Sequence, residues 1–537
     1  MRKTLVPKWW ERIYDAILRE KETITVCLIS VFVWGLIAHT YGFVHRNLTH
    51  DGLNVFVVED WEETWKIMLG RYFVPVYRSI FRGPIMLPWL FGLLGLLWSS
   101  AAVYMVVKLL EVRSKFQMVL ISGILVTNIS YIAQIATYLY EFDFNTCAIV
   151  MAVGAVALWR WKKGLWGCLP GAVCVMLSIG IYQSFVAVTV TLIIWLSIMD
   201  LLQEKNVKDV FRNGLWGIGM LVLGGLLYFL VGQIVHSVTG IPLEARTDAL
   251  AVAEGDSLIA QYIRLIIPAI RDLAGNIVHP AYCRVPQILA IGGILVILGT
   301  LCLIRIRKRK FTWDRIVLLG VLLLALPFGM NCVYFLAKGE GMHDLTTYAT
   351  WYFYIILLQL AFWLFENDGE SSWLADLGVS ATSILLILVL VQNVTLSNTA
   401  YVKKKIDVDA TFSTMTRIVA MMEQQEDYVI GETEVAVVGI IQDTSYRPAF
   451  DKIKTITGLD MDRAIYAYLA DWNYNAYDSY FKYVMNYPVN LCVGEEREEK
   501  VLSDPRVHEM PSYPNSGCIQ RINDILVVKV GPIDPME

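Results

Sequence analysis

The sequence predicts a mainly α-helical, polytopic membrane protein of about eleven transmembrane helices with a small C-terminal α/β domain. Of the 537 residues, 56% are hydrophobic and only 18% are charged, and the mean hydropathy is +0.52. Soluble domains are about 45–50% apolar and about 25% charged, so this composition is typical of a membrane protein. It excludes intrinsic disorder and collagen-like fibres. The net charge of −4 does not indicate a nucleic-acid partner.

Charge-free windows recur through the first 400 positions. A bilayer core of roughly 30 Å needs about 20 apolar residues for each helix that crosses it. Eight windows have this length: Thr23–Val44, Gly83–Val107, Phe116–Tyr140, Gly214–Val235, Val285–Ile304, Ile316–Ala337, Leu345–Phe365 and Leu377–Val402. The shorter window Phe144–Trp159 adds one helix, and Gly164–Met199 is long enough for a hairpin that turns near residues 181–184. Together these segments predict eleven spans.

The orientation of the spans follows from the Lys and Arg residues of the short loops, which favour the cytoplasmic side. These residues are concentrated in the N-terminal segment 1–22 and at positions 113–115, 160–163, 205–212 and 305–310. The N-terminus is therefore predicted to be cytoplasmic. Residues 45–82 and 236–284 form the two long outer loops, and an odd number of spans places the C-terminus outside the cytoplasm.

The composition changes near residue 403, where charges become dense and apolar runs shorten to the length of strands, at 434–441 and 525–530. This change predicts a transmembrane domain over residues 23–402 and an extracytoplasmic α/β domain over residues 403–537. Cys492 and Cys518 could pair in an oxidising compartment.

The first outer loop carries arginines where the positive-inside pattern predicts few. Arg71, Arg78 and Arg82 are spaced by seven and four residues, so on one helix they share a face. Guanidinium groups bind phosphate through two parallel hydrogen bonds, and a row of them at the membrane surface suits the phosphate of a lipid headgroup. The alternative is that these side chains only hold the loop to ordinary lipid.

Carboxylates lie close to these arginines in the predicted topology. Asp51 follows the first helix directly, next to His50, and Glu59 lies further along the same loop. Glu141 and Asp143 occupy the second outer turn, where they could also be water-facing helix caps. A carboxylate opposite a cationic phosphate site is the arrangement that glycosyl transfer from a lipid phosphate needs, because the base takes a hydroxyl proton while cations stabilise the departing phosphate.

Other polar residues are few. Tyr182 and Gln183 lie in a polar patch that should line a cavity or the hairpin tip. His343 precedes the tenth predicted helix, where a lone His is more often structural than catalytic. No nucleotide-binding loop or zinc spacing is present in the sequence, so we predict neither a cofactor nor a metal. The helix centres carry almost no charge, which argues against a transporter.

The first outer loop resembles that of bacterial Gtr-type glucosyltransferases, the serotype-converting O-antigen enzymes and their Gram-positive relatives. The stretches that carry the resemblance are His50-Asp51-Gly52-Leu53, Leu69-Gly70-Arg71-Tyr72-Phe73, Pro75-Val76-Tyr77-Arg78, Arg82-Gly83 and Pro88-Trp89-Leu90, with further similarity at 180–184 and 342–349. The resemblance implies a GT-C fold in the bacterial cytoplasmic membrane. It also implies a polyprenyl-phosphate hexose donor, most simply glucose, a cell-surface glycan acceptor, and Asp51 as the base.

We therefore predict an inverting, metal-independent transfer, with Arg71, Arg78 and Arg82 on the donor phosphate. Two alternatives are a flippase or transporter of lipid-linked sugars, and a glycan polymerase or ligase with a diphosphate-linked donor. The aromatic-rich segment 466–483, with Trp472, Tyr474, Tyr477 and Tyr480, is predicted to help hold the acceptor, because aromatic rings stack on sugars.

Overall fold

The computed structural model contains a helical bundle and a small sheet. It describes residues 8–45, 48–49, 52–53, 59–83, 87–243, 258–339, 342–367, 373–439, 441, 450–457, 459 and 476–533. The helices of these residues are α1 (Lys8–Val44), α2 (Glu59–Met68), α3 (Val74–Phe81), α4 (Pro88–Leu109), α5 (Lys115–Thr127), α6 (Ile129–Tyr138), α7 (Phe142–Trp161), α8 (Leu165–Ile179), α9 (Val186–Leu202), α10 (Val207–Thr239), α11 (Leu258–Ile277), α12 (Arg284–Lys308), α13 (Trp313–Met330), α14 (Cys332–Leu336), α15 (Tyr352–Asn367), α16 (Trp373–Glu423), α17 (Gly494–Arg497) and α18 (Pro505–Glu509). The chain is mainly helical, as predicted.

Each window predicted to span the membrane falls on one of these helices or on a consecutive pair. Among the described residues, nine segments are long and apolar enough to cross a bilayer, and α8 is apolar but shorter. The predicted hairpin corresponds to α8 and α9, which are separated by a turn that begins at Gly180. The chain is a membrane protein by these helices, and the exact number of crossings remains a prediction.

One predicted span is interrupted by a single residue. Asn128 ends α5 and caps α6, because its side chain donates to the carbonyls of Ile124 and Leu125 and accepts from the N–H of Tyr131. This local bonding satisfies backbone groups at both helix ends, so a break is tolerated inside an apolar environment. Helices α5 to α7 form the centre of the bundle, whereas α10 and α13 expose most of their apolar side chains, as expected for helices at a lipid-facing periphery.

The chain enters its C-terminal part without a break, because α16 continues from the bundle to Glu423 and passes through the predicted boundary at residue 403. Four strands follow: β1 (Glu434–Val438), β2 (Asn490–Leu491), β3 (Ile519–Ile522) and β4 (Ile525–Lys529). Their order is β2-β1-β4-β3; β1 is parallel to β2 and β4, and β3 pairs with β4 in an antiparallel hairpin. The hairpin turn uses Asn523 and Asp524, both with positive φ, as a two-residue turn requires.

The structure describes Cys492, Cys518 and part of the aromatic-rich segment 466–483. Cys492 and Cys518 are free thiols, because each is buried in a different apolar cluster. Tyr477 and Tyr480 are 1% and 0% exposed in the core beneath the sheet, so their rings cannot stack on a sugar. Trp472 and Tyr474 lie outside the described residues.

The described residues after α16 form the sheet region. Within it, the chain between β1 and β2 packs against the helical bundle. Ile453, Ile456 and Leu459 are fully buried against apolar side chains of the bundle. Lys403 Nζ donates to the carbonyl of Leu459 at 3.0 Å, and the N–H of Thr457 donates to Asp344 at 2.7 Å. The sheet region therefore packs directly on the bundle.

The same contact brings the sheet region to the end of the bundle that carries the first predicted outer loop. Leu48 and Leu53 from that loop share an apolar cluster with Met415 and with side chains of the sheet. Asp344 joins this contact through His279, whose Nε2 lies 3.2 Å from its carboxylate. Burial alone raises the pKa of Asp344, but His279 and the Thr457 N–H hold that pKa below its usual range. Asp344 is thus a buried anion that ties both parts together.

Candidate functional site

The turn after α2 brings two cationic side chains together. The N–H of Arg71 donates to the carbonyl of Lys66 at 2.7 Å, and the N–H of Gly70 donates to that of Ile67 at 2.9 Å. Gly70 has a φ of +73°. These two bonds around a left-handed glycine define a Schellman C-cap, in which residues separated by five positions lie close together. Lys66 and Arg71 therefore meet on the same side of the turn.

Both cations bind one carboxylate. Glu141 accepts a hydrogen bond from Lys66 Nζ, and its two oxygens lie 3.3 and 3.2 Å from Nη1 of Arg71. The side chains of Lys66 and Glu141 are 2% and 7% exposed, whereas that of Arg71 is 16% exposed. Transfer of an ion from water to a buried site costs roughly several kcal/mol. The triad is therefore stable only because its buried charges are of opposite sign and pair with each other. Arg71 is its most accessible member.

A second ion pair lies two residues further along the chain. Nη1 of Arg82 is 3.2 Å from Asp143, and the guanidinium stacks on the rings of Phe91 and Phe144. Arg78 lies one turn before Arg82 and is 5% exposed. Glu141 and Asp143 thus each face a cation of the first loop, and because both are buried, they are not the water-facing caps that the sequence left as an alternative.

The three arginines do not share one helix. Pro75 occupies the first turn of α3, which begins at Val74, so Arg71 precedes the helix and Arg82 caps its end. Proline favours the first turn because its missing N–H has no partner there. The expected common helical face is therefore incorrect, and Arg71 owes its position to the Gly70 turn.

The polar patch between α8 and α9 contacts the turn at Gly70. Gln183 Nε2 donates to the carbonyl of Leu69 at 2.6 Å, and the Arg71 guanidinium lies 4.6 Å above the ring of Tyr182. The N–H of Phe73 donates to the carbonyl of Gly180 at 2.9 Å. Tyr182 and Gln183 thus lie at the site. Gln183 positions the backbone of the turn, and the ring of Tyr182 forms a cation–π contact with Arg71.

His343 directly precedes the buried Asp344. Its Nδ1 is buried and has no hydrogen-bond partner among the described residues. Burial lowers the pKa of His343, and the positive charge of Arg71 lowers it further, although Asp344 opposes both effects. The imidazole is therefore neutral at pH 7 and presents one polar nitrogen close to the field of Arg71.

Four cationic and two acidic side chains make up the site. Lys66 and Arg71 pair with Glu141, Arg82 pairs with Asp143, and Arg78 is buried one turn before Arg82. We call these six residues the cationic cluster. Nε of Arg71 has no hydrogen-bond partner among the described residues. A guanidinium group with an unused donor is a group that binds anions.

The predicted base lies outside the described residues, as does its neighbour: His50 and Asp51 are not placed by the structure. Glu59 begins α2, but its side chain is not described. Thr49 and Gly52, which flank His50 and Asp51, are described. Thr49 Oγ1 donates to the carbonyl of Thr137 at 3.0 Å and accepts from the N–H of Gly52. These anchors fix the chain beside the end of α6, four residues before Glu141.

Lys66 was not among the site residues predicted from the sequence. The signal was present, since Lys66 is a basic residue in a predicted outer loop. Its function depends on the five-residue spacing across the Gly70 turn and on Glu141, 75 positions away. No group of three or more His, Cys, Asp or Glu side chains that could hold a metal occurs in the part of the chain that the structure describes. Metal independence remains a prediction.

Replacement of Gly70 by Ala is expected to destabilise the protein. The left-handed conformation costs an L-residue roughly 1–2 kcal/mol, and the added Cβ would lie 2.3 Å from the hydroxyl of Tyr228. The midpoint of thermal unfolding in detergent should fall. Gly225→Ala is the matched control, because Gly225 is helical with open space beside it; a Gly70→Ala midpoint equal to that of the control would contradict the strained turn.

Comparison with known proteins identifies one matching family. The profile of the family described as Glucosyl transferase GtrII matches residues 40–365, which is more than half of the chain. The matched region includes the whole cationic cluster and His343. No curated protein matched the chain, and no solved structure did so either. The resemblance inferred from the first-loop residues is confirmed.

Proposed function

The chain belongs to the GtrII glucosyl transferase family, and from this premise we propose that it transfers a hexose, glucose, from a polyprenyl-phosphate donor to a cell-surface glycan. The transfer occurs on the outer face of the bacterial cytoplasmic membrane. The observation that carries the proposal is the Arg71 guanidinium, which is the most exposed member of its triad and whose Nε has no hydrogen-bond partner among the described residues. A polyprenyl phosphate sugar presents one phosphate at the height of the headgroups, and the cluster offers guanidinium groups to bind it.

In this proposal Arg71, Arg78 and Arg82 bind the donor phosphate. Arg71 has the strongest support, because its side chain is the most exposed of its triad and its Nε has no partner among the described residues. Arg82 has its guanidinium fixed between Asp143 and two aromatic rings. Preorganised cations stabilise charge on the leaving phosphate without reorganisation during the reaction.

Asp51 takes the proton of the acceptor hydroxyl. The hydroxyl oxygen attacks the anomeric carbon from the face opposite the phosphate, the bond from that carbon to the phosphate oxygen breaks, and the configuration inverts. The anchored residues Thr49 and Gly52 on either side of Asp51 support its action at this site. Glu141 is a weaker candidate, because a carboxylate that neutralises both Lys66 and Arg71 has little tendency to accept a proton.

The donor class is tested by incubating the purified protein with polyprenyl-phosphate glucose and with a diphosphate-linked oligosaccharide, each together with cell-surface glycan. Consumption of the monophosphate lipid alone, with glucose appearing on the glycan, is expected. Consumption of only the diphosphate lipid would instead identify a polymerase or ligase. Movement of intact lipid across sealed vesicles without transfer in detergent would identify a flippase.

Lysine at the three arginine positions is expected to lower kcat/KM by about tenfold or more at each phosphate ligand. Lys keeps the charge but loses the forked geometry, and one hydrogen bond to a charged group contributes about 1.5–3 kcal/mol. Initial rates against donor concentration measure the effect. Arg212→Lys is the control, because Arg212 is exposed and pairs with Asp209. Wild-type rates in all three variants would rule out the arginines as the phosphate site.

The C-terminal part, residues 403–537, is proposed to lie outside the cytoplasm. Its packing against Leu48 and Leu53 of the first outer loop supports this side. External trypsin should cleave the sheet region of intact cells, for example beside the exposed Arg506, and leave the basic segment 305–310 intact. The opposite pattern of cleavage would reverse the topology.

A further inference from the structure

The second predicted outer loop contains an amphipathic helix that the proposed function does not use. Helix α11 spans Leu258–Ile277 and does not qualify as a membrane span among the described residues. Its charged residues Arg264, Arg271 and Asp272 interrupt the apolar pattern. The helix therefore belongs neither to the set of spans nor to a solvated loop.

One side of α11 is fixed to the protein. Ala269 and Leu273 are 2% and 6% exposed. Nδ2 of Asn331, directly after α13, donates to the carbonyl of Ala269 at 3.0 Å and to Asp272 at 2.9 Å. Since α12 runs to the basic segment 305–310 and α13 returns from it, Asn331 and the part of α11 that it contacts lie at the end of α13 opposite that segment.

A second side of α11 is apolar and uncovered in the structure. Ile263, Ile266, Ile267 and Ile270 are 61%, 37%, 70% and 46% exposed. Their spacing of three, one and three residues forms a single stripe on a helix that turns about 100° per residue. Four exposed isoleucines in one stripe are unfavourable in water, because transfer of apolar surface from water to an apolar environment is favourable.

The charged residues border this stripe on one edge. Counted from Ile263, Arg264 and Arg271 lie about 80–100° round the helix, both exposed. Gln261, Pro268 and Gly275 follow at about 120–160°. The helix thus presents, in order, a protein side, an apolar side, a cationic edge and a less apolar side. This order is expected for a helix that lies flat at a bilayer surface, with arginines at the level of the lipid phosphates.

Helix α11 is also attached to the end of a helix with exposed apolar side chains. Helix α13, to whose end α11 is fixed, is a candidate span and exposes Leu323 and Leu324, at 49% and 73%. We propose that α11 is an interfacial helix, with Ile263, Ile266, Ile267 and Ile270 among phospholipid acyl chains and Arg264 and Arg271 on headgroup phosphates. The partner is the phospholipid surface itself.

This position links the bilayer to the candidate site. The carbonyl of Ile277, the last residue of α11, accepts a hydrogen bond from Tyr354 at 2.6 Å. His279 follows and contacts Asp344, the neighbour of His343. In this proposal, the depth of α11 in the lipid therefore sets the height of His279, Asp344 and His343 relative to the headgroups.

The test uses the full-length protein in phosphatidylglycerol vesicles that contain a phospholipid with a photoreactive diazirine in its acyl chain. After illumination and trypsin digestion, three peptides are compared by mass spectrometry: 265–271 of α11, 316–338 of α13, and 501–506 of the sheet region. We expect lipid adducts on 265–271 and 316–338 and none on 501–506. The readout does not depend on glucosyl transfer, so it stands apart from the test of the proposed function.

Ile263→Asp provides a variant that leaves peptide 265–271 unchanged in sequence. It places a charge in the stripe and is expected to lower labelling of 265–271 without lowering that of 316–338. Gln261→Asp adds the same charge outside the stripe and should leave both unchanged. The proposal would be overturned if peptide 316–338 were labelled while peptide 265–271 carried no more lipid adduct than peptide 501–506. It would likewise be overturned if this lack of labelling were accompanied by a covalent cross-link between the α11 helices of two copies.

Discussion

The Asp51→Asn variant is expected to bind donor lipid but to transfer glucose at least about a hundredfold more slowly than the unmodified protein. The amide keeps the shape of the side chain and removes the basic site. The acceptor hydroxyl has a pKa far above neutral, so its proton must leave as the bond to the anomeric carbon forms. Donor binding, measured with radiolabelled polyprenyl-phosphate glucose, should change little, because the phosphate is bound by arginines.

The matched control is Asp209→Asn. Asp209 is an exposed carboxylate at the predicted cytoplasmic end, paired with Arg212, and its variant should transfer glucose at the normal rate. A normal rate for Asp51→Asn would move the role of base to Glu59, Glu141 or Asp143. The metal-free part of the mechanism is tested separately, because loss of activity on addition of a chelator would contradict it whichever carboxylate is the base.

The spans could be predicted because hydropathy is a local property. A charge-free window such as Thr23–Val44 is apolar in any conformation, and in a membrane only a helix satisfies its backbone. The break at Asn128 was not predictable from hydropathy, because it depends on hydrogen bonds between one side chain and carbonyls three and four residues earlier. Helix α11 was missed for the opposite reason: Arg264 and Arg271 break the charge-free rule, although they belong to a regular amphipathic pattern.

The sequence predicted which residues lie in the candidate site, but it did not predict which of them form ion pairs. Arg71, Arg82, Glu141 and Asp143 were all selected from the sequence, because charges near predicted outer surfaces are few. Their ion pairs join residues 70 and 61 positions apart, and no periodicity encodes a contact of that range. The assumed single helix through the arginines failed because helical spacing was applied across the Gly70 turn and Pro75, where the backbone is not helical.

The long-range pairing has a testable energetic consequence at Glu141. Glu141→Gln is expected to destabilise the protein by about 3–5 kcal/mol, since it leaves buried Lys66 and the largely buried Arg71 without a counterion. The midpoint of thermal unfolding in detergent should fall, and transfer activity should fall with it, because Arg71 loses the group that holds it over Tyr182.

Removal of one cation should recover part of this loss. The Glu141→Gln, Lys66→Met double variant is expected to unfold at a higher temperature than Glu141→Gln alone, because the amide then faces only Arg71, to which it can still accept a hydrogen bond. Glu20→Gln is the control: Glu20 pairs with Lys108 at 3.0 Å, but both side chains are substantially exposed, and water solvates the lysine when the carboxylate is lost. Equal unfolding midpoints for Glu20→Gln and Glu141→Gln would mean that the buried triad does not hold the first loop in place. A double variant less stable than Glu141→Gln would mean that Lys66 stabilises the loop by packing alone, independently of its charge.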